Sequence, residues 1–151
     1  MDGSGCGELH RITGRHTAVT YMEVLEDVLL PSLEVMRPGG EPFTFQHDNA
    51  PQHSARLTQQ WLASQGGKLT ALDWPGKSPV LNPIENLWAI MSEELSKKNS
   101  EGLLRADELW RRVQDQWNQW RARPGLFESL AASMMRRLES VVEAAGGQTK
   151  Y

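Results

Sequence analysis

FTFQHDNAPQHSARLTQQWLASQGGKLTALDWP, residues 43 to 75, holds two short apolar runs on either side of one amphipathic segment. Phe43-Thr44-Phe45-Gln46-His47-Asp48 is aromatic-rich and predicts a strand, which Asn49-Ala50-Pro51 ends. From Ser54 the spacing predicts a helix with Leu57, Trp61 and Leu62 on one face, stopped by Gly66-Gly67. Leu69 to Trp74 reads as a second strand, closed by Pro75. Strand, helix and strand in that order imply a parallel pair joined by a right-handed crossover.

Toward the N-terminus, Glu8 to Thr13 is expected to form a short strand. Thr17 then has the character of an N-cap for a helix bearing Tyr21, Val24, Leu25, Val28 and Leu29. Pro31 is expected to interrupt or restart that helix, which ends before Pro38-Gly39-Gly40. Toward the C-terminus, Asn82-Pro83-Ile84-Glu85 opens a helix with an apolar stripe of Ile84, Leu87, Trp88, Met91 and Leu95. Two more helices follow. One carries Trp110, Val113, Trp117 and Trp120, the other Phe127, Leu130, Met134, Leu138 and Val142 before Gly146-Gly147. The order, α/β first and helices afterwards, predicts an α/β fold: part of a mixed sheet covered by helices.

The 151 residues amount to one domain, and 39% hydrophobic content suffices for a core. No run nears the ~20 apolar residues of a membrane span. The start, Met1 to Gly5, has neither a basic nor an apolar segment, so no secretory signal is expected. Cys6 is the only cysteine, which excludes an internal disulfide and points to a reducing compartment. Net charge is -3, a poor basis for stand-alone binding to duplex DNA, where Lys and Arg must neutralise phosphates.

Asp48 lies at the carboxyl end of a predicted strand, where open α/β sheets place ligands. Thr44 and Gln46 share its face, while Phe43, Phe45 and His47 point the other way. Taken alone, Asp48 has a structural explanation, because Asp-Asn-Ala-Pro makes a good turn. Glu85 has one too. Asn82 as cap, Pro83 at the first helical position and Glu85 three after the cap form a capping-box-like start. Trp110, Trp117 and Trp120 could stack bases, but their spacing is that of a helix core. Arg111-Arg112 and Arg136-Arg137 read as solvated helix faces. With Lys97-Lys98 they are too scattered for a nuclear-import signal or a DNA patch.

Three ordered motifs change the weight of these acids. They are Gln46-His47-Asp48-Asn49-Ala50-Pro51-Gln52-His53, then Leu72-Asp73-Trp74-Pro75, then Ser78-Pro79-Val80-Leu81-Asn82-Pro83-Ile84-Glu85-Asn86-Leu87-Trp88. Together they resemble the Tc1/mariner transposases. Gly7 to Ile12, Glu26 to Pro31, Ser133 to Arg137 and Gly146 to Tyr151 extend the likeness over nearly the whole chain. The resemblance implies a ribonuclease-H-like fold and three carboxylates binding two divalent metals, Mg²⁺ or Mn²⁺, for DNA cleavage and strand transfer. Hard cations of this kind want oxygen ligands, and two of them clamp the attacking and leaving oxygens of a phosphodiester. By resemblance Asp48 is the second acid and Glu85 the third, both catalytic and metal-binding. Asp73 and His53 match motif positions and are assigned structural roles.

The sequence departs from the family pattern in three places. The first acid has no counterpart, since only 47 residues precede Asp48 and they match the region after the family's first strand. Val80 stands where the family's loop has Asp, and the interval from Asp48 to Glu85 is slightly long. The helix-turn-helix domains that read transposon ends have no counterpart either. The expectation is therefore a single truncated catalytic domain, residues 1–151, inactive alone and completed only by another transposase chain. A non-enzymatic module adopted by its host to bind protein or nucleic acid, or a relic of a transposable element, are the alternatives. The nucleus is the expected location, with the cytoplasm otherwise, and no membrane partner is expected.

Overall fold

The computed structural model describes residues 1–76, 78–97, 104–123 and 125–149; Lys98, Lys150 and Tyr151, used in the motif reading, lie outside that set. The chain forms two compact units, one built from Met1–Leu9 with Ser78–Tyr151 and the other from His10–Lys77. The fold is α/β, mostly helical with a small sheet.

In the second unit, Thr17 caps α1 (Ala18–Val24) as expected, in a capping box closed by Thr20. The interruption expected at Pro31 is present: a wide π turn, Leu25–Leu29, separates α1 from α2 (Leu30–Met36), and Pro31 sits in the first turn of α2. β1 is shorter than its sequence signal, only Phe43–Phe45. It pairs in parallel with β2 (Leu69–Ala71), in the register Phe43 to Leu69, Thr44 to Thr70 and Phe45 to Ala71. The sheet has these two strands alone among the described residues. A short helix α3 (Pro51–Ser54) precedes α4 (Arg56–Ser64), and Gly66 and Gly67, both at positive φ, turn the chain into β2.

Tyr21, Leu25, Trp61, Leu62 and Leu69 form this unit's core, with Phe43 and Phe45 packed against it. Leu57, expected in that core, is exposed, and Thr58 takes its place. Thr58 is 0% exposed because its hydroxyl is satisfied, donating to the Gln52 carbonyl across the α3–α4 junction at 2.7 Å. Across the same core, Trp61 Nε1 donates to Glu26 Oε1 in the π turn at 2.6 Å.

The first unit contains, among the described residues, a 3₁₀ turn (Pro79–Leu81) and three helices: α5 (Pro83–Lys97), α6 (Ala106–Arg121) and α7 (Leu126–Glu143). Leu87, Met91, Trp117, Trp120 and Phe127 make its core, joined by Cys6 from the N-terminal segment. Burial pushes the Cys6 thiol pKa up. Trp117 and Trp120 are therefore core residues, as their spacing predicts, and Trp88 stacks on Trp117. The expected strand at Glu8 to Thr13 does not form. Side chains hold the start of the segment instead: Trp117 Nε1 donates to the Gly7 carbonyl just before it at 3.1 Å, and the Glu8 carboxylate pairs with Arg121 at 2.7 Å. Among the described residues no helix is long and apolar enough to cross a membrane.

Candidate functional site

Asp48 stands three residues beyond β1, in the loop that carries the chain from the strand end to α3. Two local bonds fix one of its oxygens. The Ala50 N–H donates to Asp48 Oδ1 at 3.0 Å, the Asx-type turn that the sequence suggested. His53 Nδ1 donates to the same oxygen at 2.6 Å. The α3 helix thus serves a purpose, returning His53 five residues later to face the carboxylate. One link further on, Asn49 Nδ2 donates to the Trp74 carbonyl at 2.8 Å, tying the segment after β1 to the segment after β2. Asp73 is exposed in that second segment.

Behind Asp48 lies a stack of rings. Tyr21 of α1 packs on His53 with centroids 4.1 Å apart, and His47 stacks on His53 at 5.2 Å. Tyr21 Oη and His47 Nδ1 share a hydrogen bond of 3.1 Å. His16 reaches the edge of the same group, 5.9 Å from Tyr21 and 6.1 Å from His53. Burial, and secondarily the Asp48 charge, raise the Tyr21 pKa well above its ordinary value, so its hydroxyl stays neutral. Burial also lowers the His47 pKa, helped by the charge on His53. For Asp48 partial burial is the largest single influence and raises its pKa. The Ala50 N–H, the His53 bond and the charges of His53 and His47 together outweigh it, and the net shift is downward. The carboxylate is therefore held ionised while its side chain stays 62% exposed.

Glu85 sits in the first turn of α5, exposed. Pro79 and Pro83 restrict the backbone before it, and successive turns close the junction: the Leu81 N–H donates to the Ser78 carbonyl, Asn82 to Pro79 and Glu85 to Asn82. Leu81 and Leu87, both buried, anchor the two sides. Asp48 and Glu85 belong to different compact units, each presented at the surface of its own.

Arg137 is not on the solvated face that the sequence suggests but buried, with 5% of its surface exposed. Its Nε donates to Ser133 Oγ at 2.9 Å, and its Nη1 donates to the Val80 carbonyl at 3.0 Å and to Asn86 Oδ1 at 2.6 Å. Arg136, its neighbour, is exposed as expected. The missed signal was positional, since Arg137 falls seven residues after Leu130 and so on the same helix face.

Asp48 and Glu85 offer hard carboxylate oxygens. Mg²⁺ and Mn²⁺ are commonly held by one or two such groups together with water and substrate phosphates. In that respect the donors fit a divalent cation. Among the described residues no group of three or more His, Cys, Asp and Glu side chains clusters as a metal cage.

Comparison with known proteins gives a consistent picture. A family described as DDE superfamily endonuclease matches residues 8–109. The transposase of the transposable element Tc1 from Caenorhabditis elegans is 35% identical over 146 residues, covering 96% of this chain and 50% of that protein. The crystal structure of the catalytic domain of Mos1 mariner transposase superposes with a TM-score of 0.80 at 26% identity, covering 99% of this chain and 73% of that one. The Mos1 mariner paired-end complex with Mn matches with a TM-score of 0.79 at 27% identity, over 99% of this chain and 43% of that one. The chain spans about half the length of the curated relatives it matches. With a ribonuclease-H-like fold and its motifs in order from Asp48 to Glu85, the chain belongs to the DDE superfamily endonuclease family, as a Tc1/mariner type.

Proposed function

We propose that this chain supplies the second and third carboxylates, Asp48 and Glu85, of a divalent-metal site for DNA cleavage and strand transfer in transposition. The observation that carries the reading is the state of Asp48. It is an exposed carboxylate beyond a parallel strand, kept ionised and fixed through one oxygen by His53 and Ala50. That is a group prepared for a cation. Mg²⁺ or Mn²⁺, when bound, supplies the charge that stabilises the attacking and leaving oxygens of a phosphodiester. The residues' part is to hold and orient. His53 keeps the Asp48 carboxylate in one rotamer, and the α5 start presents Glu85.

On this reading the first carboxylate is supplied by another transposase chain, and this chain alone does not cleave DNA. The nucleus is the compartment in which the reaction would occur. The family likeness and the motif order support this assignment.

Thermal unfolding of the purified chain with and without millimolar Mn²⁺, beside an Asp48→Ala/Glu85→Ala variant, tests it. A cation at ~100 times its dissociation constant stabilises the folded state by about 2.7 kcal/mol. The expected result is a metal-dependent rise in Tm in the parent and none in the variant. Equal shifts in both proteins, or no shift in either, would remove the metal site. A cooperative melt would then favour a host-adopted binding module, and a non-cooperative one a relic.

A further inference from the structure

The C-terminal helix buries a guanidinium against the segment that carries Glu85. Arg137 Nη1 bonds the Val80 carbonyl on one side of the Leu81–Glu85 junction and Asn86 Oδ1 on the other. Its Nε is fixed in turn by Ser133 one turn back on α7, whose hydroxyl donates to the Leu130 carbonyl at 2.6 Å. We propose that Arg137 is a positioning residue for Glu85, its planar fork bracketing the start of α5 and so setting where the carboxylate is presented to a divalent cation. The inference rests on the reading of Glu85 as a metal ligand.

Three observations support it. First, the bracket is specific to the guanidinium. A planar group with several fixed donors engages a hydroxyl, a carbonyl and a side-chain amide at once, which a point-like ammonium does not reproduce. Second, the acceptors lie on both sides of Glu85, at Val80 and Asn86, so the bonds fix the bearing of the intervening turn as well as its attachment. Third, the contact to residue 80 is to its backbone carbonyl. The bracket therefore forms although Val80 replaces the acid of the family's loop. Groups that orient metal ligands without touching the metal commonly contribute about 10- to 100-fold to metal affinity.

The test is a Mn²⁺ titration of the full chain, read by loss of the free-ion electron paramagnetic resonance signal, which reports binding and not activity. Four variants accompany the parent: Glu85→Gln, Arg137→Lys, Asn86→Ala and Leu130→Ala. Arg137→Lys keeps the charge and the stem, loses the fork, and is expected to weaken Mn²⁺ binding about tenfold or more. Asn86→Ala removes one acceptor and is expected to weaken it less, in the same direction. Leu130→Ala lowers Tm by thinning the same core but leaves the bracket intact, so affinity should stay within about twofold. This control separates positioning from general destabilisation. Parent-like affinity in Arg137→Lys, with Glu85→Gln impaired, overturns the proposal. Parent-like affinity in Glu85→Gln refutes the metal role of Glu85 itself and removes the basis of the inference. If Arg137→Lys does not fold, Asn86→Ala decides: a clear loss supports the bracket and unchanged affinity overturns it.

Discussion

At the scale of single residues, His53 is the best-defined neighbour of Asp48, and its removal has a measurable consequence. Asp48 is a carboxyl with a depressed folded-state pKa. Its ionised form favours the folded state fully above the ordinary carboxyl pKa, and that contribution fades as pH falls through the lower, folded-state value. In His53→Ala the carboxyl titration midpoint of Asp48, followed by carbon-13 NMR, is expected to rise toward its ordinary value. The variant should also be less stable than the parent above the ordinary carboxyl range, and the difference should close as pH falls through the lower, folded-state value. The effect on stability is small, because the side chain is 62% exposed and solvent screens it. An unchanged midpoint would mean that the Ala50 N–H and the charge on His47 hold the shift. The Asx-type turn at Asp48 was legible in the sequence because it is local. The ring stack was not, since Tyr21 reaches His47 across 26 residues. Arg137 was partly legible, and treating it as a pair with Arg136 obscured a helix face that separates them.

At the scale of elements, the helices were legible and the strands only approximately so. β1 and β2 each keep three residues of the six that their composition suggested. The remaining residues lead into the Asp48 and Asp73 segments, tied to each other by Asn49 rather than by a ladder. On α7 the predicted stripe drifts. Leu130, Met134, Leu138 and Val142 are each four apart, and every such step turns about 40° past a full helical turn. By Val142 the chain has rotated about 120° away from Leu130, and Val142 is 77% exposed. The face that stays inside is Phe127, Leu130, Ser133 and Arg137. On α5 the stripe held at Ile84, Leu87, Met91 and Leu95, whose spacings of three, four and four keep one face, and Leu87 is 0% exposed, whereas Trp88 beside it is 38% exposed. Leu87→Ala should cost about 2–5 kcal/mol of stability, measured by urea unfolding monitored by tryptophan fluorescence. A loss under about 1 kcal/mol would show that the core collapses around the missing side chain.

At the scale of the whole molecule, charge and topology have separate consequences. With a net charge of -3, the chain should bind a random DNA duplex only weakly, with Kd on the order of 10⁻⁴ M or higher near 0.15 M salt by fluorescence anisotropy. Affinity much tighter than that would require a concentrated basic surface or a metal bridge. The topology concerns timing. His10–Lys77 is one contiguous stretch, whereas the other unit joins Met1–Leu9 to residues beyond Ser78. The bond from Trp117 to Gly7 spans 110 residues, so at ~5–20 residues per second the first segment emerges several seconds before its partner has been made. During translation, then, the Asp48 unit can assemble while Met1–Leu9 waits for Ser78 and the residues beyond it. Cys6 and Leu9 stay without their core until Trp117, Trp120 and Phe127 have been made.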